Sequence, residues 1–156
     1  MGNVYSASSQ SRLHTCEPEL IEVFEYVLPV FDHTILEGAR TYERQEELYY
    51  GTPQRTKTLK SKHVVVKPGE LSHAVDAVPY PFSWDFEGEL LAAVRRGDQE
   101  ETRRILHHIQ RWSLFVGHVL MAAAALFVPL RWGGDWDGDK DLADQDFDDW
   151  PHFETM

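Results

Sequence analysis

The apolar positions of this chain change period several times along its length, and each change marks an element. From Glu17 to Leu28, the residues Leu20, Val23, Phe24, Val27 and Leu28 fall on one helical stripe, with Pro18 suited to a first turn and Pro29 as the stop. A short run from Thr34 to Glu37 predicts a strand. Gly38 then gives way to a second helix, with Thr41 as N-cap, Glu43 in the first turn, and Gly51 and Pro53 closing it. Residues Thr52 to Pro68 are basic, polar and aperiodic, which predicts a loop. Ala74 to Tyr80 is small, branched and stopped by prolines, the mark of a strand. Helical spacing returns from Phe86 to Arg96 and from about Asp98 to Phe127, with a break near Gly97. Leu130 to Trp132 and Trp150 to Glu154 predict two further strands on either side of an acidic loop, Gly133 to Phe147. The most apolar stretch, Phe115 to Leu130, is too short to span a bilayer and is expected to be a buried core helix. Together these elements predict an α+β domain with helices packed on a small, mainly antiparallel sheet.

Composition narrows the picture. A chain of 156 residues is expected to form one domain over 1–156, with 1–11 a loose N-terminal segment and no separate binding module. The 26 acidic and 15 basic residues give a formal net charge of -11, which disfavours generic attraction to nucleic acid or an anionic membrane. Cys16 is the only cysteine, so an intramolecular disulfide and a thiolate metal site are both excluded. The N-terminus lacks the apolar core of a signal peptide, so a protein that starts its life in a reducing cytoplasm is expected.

Two segments about seventy residues apart carry the candidate chemistry: SKHVVVKPGELSHAVDAVPYP, Ser61 to Pro81, and DDWPHFE, Asp148 to Glu154. His63, Asp76 and His152 are the three nitrogen and oxygen ligands that an open zinc site takes from a protein, leaving a fourth position for water. His73, closer to Asp76 in sequence, is the rival to His63. In the acidic loop, Asp135, Asp137, Asp139, Asp141 and Asp146 stand at positions one, three, five, seven and twelve of a twelve-residue window, near the spacing of an EF-hand calcium loop. Lys140 stands where that loop takes glycine, and Asp146 replaces its bidentate glutamate.

The order of these motifs resembles the LAS zinc peptidases, a family of D-Ala-D-Ala carboxypeptidases and L-alanyl-D-glutamate endopeptidases that includes phage endolysins. The likeness runs from about Arg12 to Glu154. It comprises GARTYERQEELY (Gly38 to Tyr49), then Ser61, His63, Asp76 and Pro79, then Asp149 three residues before His152. RWGGDWDGD, Arg131 to Asp139, is similar to the phage-type members. The chain departs from the pattern in one place: the family's first histidine precedes the aspartate by seven residues, whereas His63 precedes Asp76 by thirteen, as though about six residues, VVKPGE, were inserted.

The resemblance implies a zinc peptidase cutting the stem peptide of peptidoglycan by metal-activated water, at the L-alanyl-D-glutamate bond in the phage-type members. D-Ala-D-Ala carboxypeptidase activity is the nearest alternative. The resemblance points to Asp149 as catalytic base, Arg40 as oxyanion or substrate clamp, Gln45 as a residue that binds the substrate backbone or braces the fold, Ser61 as a residue that hydrogen-bonds the substrate or supports the site from behind, and Glu154 as a group orienting His152. Residues three apart on a regular strand face opposite ways, so Asp149 needs a bend at Pro151 to join His152; Asp148 has the matching parity and is the other candidate. A holin-type partner releasing a monomeric enzyme from the host cytoplasm is implied as well. The hedgehog signalling domain shares this zinc fold, so a non-catalytic zinc-containing binding domain is a reading of another class.

Overall fold

The computed structural model describes residues 2–84 and 86–156, and at Glu87 the backbone alone. Its elements follow the chain as α1 (Ala7–Leu13), α2 (Pro18–Val27), β1 (His33–Glu37), α3 (Tyr42–Tyr50), β2 (Ala74–Pro79), α4 (Phe86–Arg96), α5 (Gln99–Ala125), β3 (Leu130–Trp132) and β4 (His152–Thr155). The strands form one antiparallel sheet in the order β1-β2-β4-β3, so the expected α+β class holds.

Local signals set the helix ends. The Thr41 hydroxyl accepts from the Arg44 amide and the Asp98 carboxylate from the Glu101 amide, each satisfying an amide with no partner inside its helix. Pro18 occupies the first turn of α2, where its missing N–H costs nothing. Between α4 and α5 the chain turns at Gly97 with φ 69°, a conformation open to glycine without strain.

Pleating divides the sheet by chemistry. Ile35, Val75, Ala77, Trp132 and Phe153 point to a core shared with Leu20, Val23, Phe24 and Val27 of α2 and with Phe115, Val116 and Val119 of α5. Alternate residues point the other way, and register lines them up in two rows. Glu37 pairs with Asp76 and Asp76 with His152; Ala74 pairs with Glu154 and Glu154 with Arg131. Charged groups from distant parts of the chain thus meet on one face.

Two expectations are corrected. The N-terminal segment read as loose contains α1, capped by the Ser6 hydroxyl. It is tied down by a fully buried Leu13, by the Ser9 hydroxyl accepting from the Ile35 amide at 3.3 Å, and by the Tyr5 hydroxyl 2.6 Å from His33 Nε2. Met1, in the same expected segment, lies outside the described residues. The stretch read as a buried core helix is buried on one side only: Phe115, Val116, Val119, Ala122 and Ala123 are inside, while Leu120 and Met121 are exposed. The helix ends at Ala125, and Phe127, at φ 58°, stands in solvent. Among the described residues no helix is long and apolar enough to cross a membrane.

Candidate metal centre

His63 Nε2, Asp76 Oδ1 and His152 Nδ1 converge from three separate segments. The two histidine nitrogens lie 3.2 Å apart, and Asp76 Oδ1 is 3.0 Å from His63 Nε2 and 3.3 Å from His152 Nδ1. A tetrahedral zinc with bonds of about 2.0–2.1 Å has ligand-to-ligand edges of about 3.3–3.4 Å. The triangle is therefore close to the size of one face of such a site, and its donors suit a divalent metal that accepts nitrogen and oxygen.

Each ligand is held from behind. Asp76 and His152 are cross-strand partners. His63 sits on a loop bonded to the chain at Arg40, whose amide donates to the His63 carbonyl at 2.8 Å. Its ring Nδ1 lies 2.7 Å from the Gly38 carbonyl and donates to it, so Nε2 is the ring atom that faces the triangle. His152 Nε2 lies 3.0 Å from Glu154 Oε2, which turns Nδ1 inward in the same way. Glu154 is in turn held by ion pairs with Arg131 and, at 3.8 Å, Lys62.

The lengthened spacing before Asp76 is absorbed as an excursion. Between Val64 and Glu70 the chain makes an exposed turn in which the Glu70 carboxylate accepts from the Val66 and Lys67 amides. It then returns through a bond from the His73 amide to the Lys62 carbonyl. The His73 side chain is half exposed and faces Glu17, outside the triangle.

Asp149 reaches the same cleft because the segment before β4 is a turn. The His152 amide donates to the Asp149 carbonyl at 3.0 Å, reversing the chain across Trp150 and Pro151. This is the bend that strand parity required. Asp149 lines the cleft together with the three ligands, whereas Asp148 lines only a neighbouring groove beside Trp84, Trp112 and Trp150. The turn is clamped to Gly133, which bonds both Asp149 and His152 through its backbone. A Cβ at Gly133 would overlap the Asp149 carbonyl oxygen and come within 3.0 Å of Asp149 Cβ and 3.1 Å of His152 Cβ. Gly133→Ala is accordingly expected to displace both residues and lower kcat/KM about a hundredfold, with the circular dichroism of the fold unchanged. Unaltered kinetics would show that the turn adapts.

Arg40 is buried. Its Nη1 donates to Gln45 Oε1 at 2.6 Å, its Nη2 pairs with Glu37, and Nη2 stands 3.6 Å from Asp76 Oδ2. Gln45 is fully buried, and its amide nitrogen donates to the Thr58 carbonyl at 2.7 Å. Of the two roles expected for it, this geometry is that of a brace: both ends of the amide are engaged, one by Arg40 and one by the following loop. Ser61 lines the cleft, and its hydroxyl accepts from the His63 amide at 3.3 Å. Glu37, Arg131 and Trp136, whose ring stacks at 5.4 Å on that of His152, were not singled out as site residues. The neighbours of Glu37 and Arg131 are set by strand register.

Proton affinities follow from this crowding. Burial raises the Asp149 carboxyl above the usual range, and the charge of Asp76 adds to the effect. Burial would raise Asp76 as well, but the charge of His63 and hydrogen bonds from both histidines outweigh it and hold that carboxyl well below the usual range. Burial would lower His152, yet its bonds to Asp76 and Glu154 carry it up to about 9. At pH 7 the metal-free protein therefore holds a proton on His152 that a metal must displace. Apparent metal affinity is expected to rise about tenfold per pH unit, levelling near pH 9. Calorimetric titrations in buffers of different ionisation enthalpy check this; heats independent of buffer at pH 7 would contradict it.

In the acidic loop, ligand atoms of Asp135, Asp137 and Asp139 lie within 4.8 Å of one another, while Asp141 and Asp146 are not part of the group. Asp137 and Asp139 are exposed and Asp135 is partly buried, and the loop already uses them: Asp135 accepts from the Gly138 and Lys140 amides, and Asp139 from that of Asp141. The five-aspartate calcium arrangement expected from spacing is thus not assembled here.

The protein-family model for the phage L-alanyl-D-glutamate peptidase matches residues 1–94. No curated protein matches the chain. Among solved structures, the Serratia marcescens L-Ala D-Glu endopeptidase ChiX is similar with a TM-score of 0.64 and 23% identity, over 97% of this chain and 89% of that one, a likeness of fold. With the family model covering more than half of its length, the chain belongs to the phage L-alanyl-D-glutamate peptidase family.

Proposed function

We propose that the protein is a zinc-dependent peptidoglycan peptidase of the endolysin type that hydrolyses the L-alanyl-D-glutamate bond of the stem peptide. The observation that carries this reading is the donor triangle of His63, Asp76 and His152, with sides of 3.0–3.3 Å, on the floor of a cleft of about 540 Å³ that Arg40 and Asp149 also line. A zinc ion held by these three residues would supply Lewis-acid polarisation of the scissile carbonyl and an activated water. Asp149, whose carboxyl burial inclines toward proton uptake, takes the water's proton and passes it to the leaving amine. Arg40, braced by Glu37 and Gln45, presents a fixed positive charge to the developing oxyanion. Glu154 keeps His152 turned toward its partners. In this reading the enzyme works as a monomer and depends on a holin-type partner to reach the wall.

Mass spectrometry of purified peptidoglycan after digestion tests the bond. New amino termini on D-glutamate are expected. Free D-alanine instead would make the protein a D,D-carboxypeptidase, and wall binding with no new termini would make it a binding domain.

A further inference from the structure

We propose that Arg55, Lys57 and Lys60 form a cationic wall of the cleft that selects stem peptides carrying a free carboxylate beside the scissile bond, a specificity that rests on the peptidase reading above. All three side chains line the cleft that contains the donor triangle. The chain as a whole is strongly acidic, at -11, so a cationic wall facing the site is not an extension of its general surface.

The other cations of the cleft are already matched. Arg40 pairs with Glu37, and both Lys62 and Arg131 pair with Glu154. Among the described residues no carboxylate is ion-paired with Arg55, Lys57 or Lys60. Lys57 has only a 3.5 Å contact to the Asp146 carbonyl and a position over the Phe147 ring. Three like charges brought together without a counter-ion repel one another, and an anion entering the cleft relieves that repulsion.

The wall is also built, although the segment has no regular structure. The Arg55 amide donates to the Leu48 carbonyl at 2.9 Å, the Lys60 amide to the Thr58 hydroxyl at 2.9 Å, and Gln45 holds the Thr58 carbonyl from below. The same Gln45 amide holds Arg40. One buried side chain thereby sets the wall in register with the catalytic cleft.

The substrate chemistry supplies the anion. Where D-glutamate continues the stem through its side-chain carboxyl, its α-carboxylate stays free two bonds from the scissile nitrogen. Conversion of that carboxylate to a carboxamide removes the charge and keeps the shape, which makes the pair a clean probe.

The experiment uses zinc-loaded full-length protein and two synthetic stems, L-Ala-γ-D-Glu-L-Lys and its α-carboxamide, with the γ-D-Glu-L-Lys fragments of each as binding probes. The wild type is expected to favour the acid about tenfold in kcat/KM, through KM, and about tenfold in fragment affinity by NMR titration, the scale of one charge-assisted contact. Lys57→Gln combined with Lys60→Gln should bring both ratios to about one. Lys67→Gln combined with Lys140→Gln, which removes an equal charge outside the cleft, should leave them near ten. Equal wild-type affinity for the two fragments, or a preference that survives in the double variant, would overturn the proposal. If neither stem is cut, the peptidase reading fails by itself, and the fragment affinities still decide the wall.

Discussion

Asp149→Asn is expected to lower kcat about a thousandfold while the protein keeps its metal. An amide has nearly the shape of the carboxylate but cannot take a proton from water and return it to an amine. Nothing else at the site depends on that side chain: the turn is held by the Asp149 backbone, bonded to Gly133 and His152, and the donor triangle is made by other residues. The measurement is the release of new amino termini from peptidoglycan alongside metal content. Full activity would move the base elsewhere, and Asp148→Asn would then be the variant to compare. The present geometry predicts little effect from Asp148→Asn, because Asp148 faces the adjoining aromatic groove.

That Asp149 belongs to the cleft was legible only in part. The motif pointed to it, while strand periodicity argued against it, and the conflict was real: a continuous strand would have sent Asp149 to the other face. The chain resolves it by starting β4 at His152, so Trp150 and Pro151 form a turn. Features governed by residues close in sequence were the readable ones. Thr41 and Asp98 cap helices from one turn away, and Pro18 and Gly97 mark ends by their own backbone preferences.

Features governed by distant partners were not readable. The seven-residue helix α1 owes its place to contacts with β1, too short a span for periodicity to reveal. Arg131 holds Glu154 because β3 and β4 pair in that register, and Glu37 meets Asp76 through a bulged register in β1. Gln45 was legible as a motif residue that binds substrate or braces the fold, but its partner Thr58 was not, since that residue lies on a loop without periodicity. The apolar half of α5 read as wholly interior because hydropathy measures content, while burial depends on what packs against each face.

The ligand choice tests the weakest part of the sequence reading most severely. His63→Ala is expected to lose the metal under conditions where the wild type retains it, with activity at background, whereas His73→Ala keeps both. Removing an orienting partner of a ligand costs about 10–100-fold in metal affinity, and removing a ligand should exceed that. His63 contributes one corner of a triangle whose sides are 3.0–3.3 Å, and its ring is already oriented by the Gly38 carbonyl. His73 lies far closer to Asp76 in sequence, yet as the next residue before β2 its ring points out toward Glu17. A smaller second variant separates ligation from folding. His63→Gln keeps a polar side chain in the buried site, so a protein that melts normally but binds metal at least a hundredfold more weakly isolates the ligand's role. Metal retained at wild-type affinity in both His63 variants would exclude His63 from the centre, and His73→Ala losing the metal would transfer the role to the residue that sequence proximity favours.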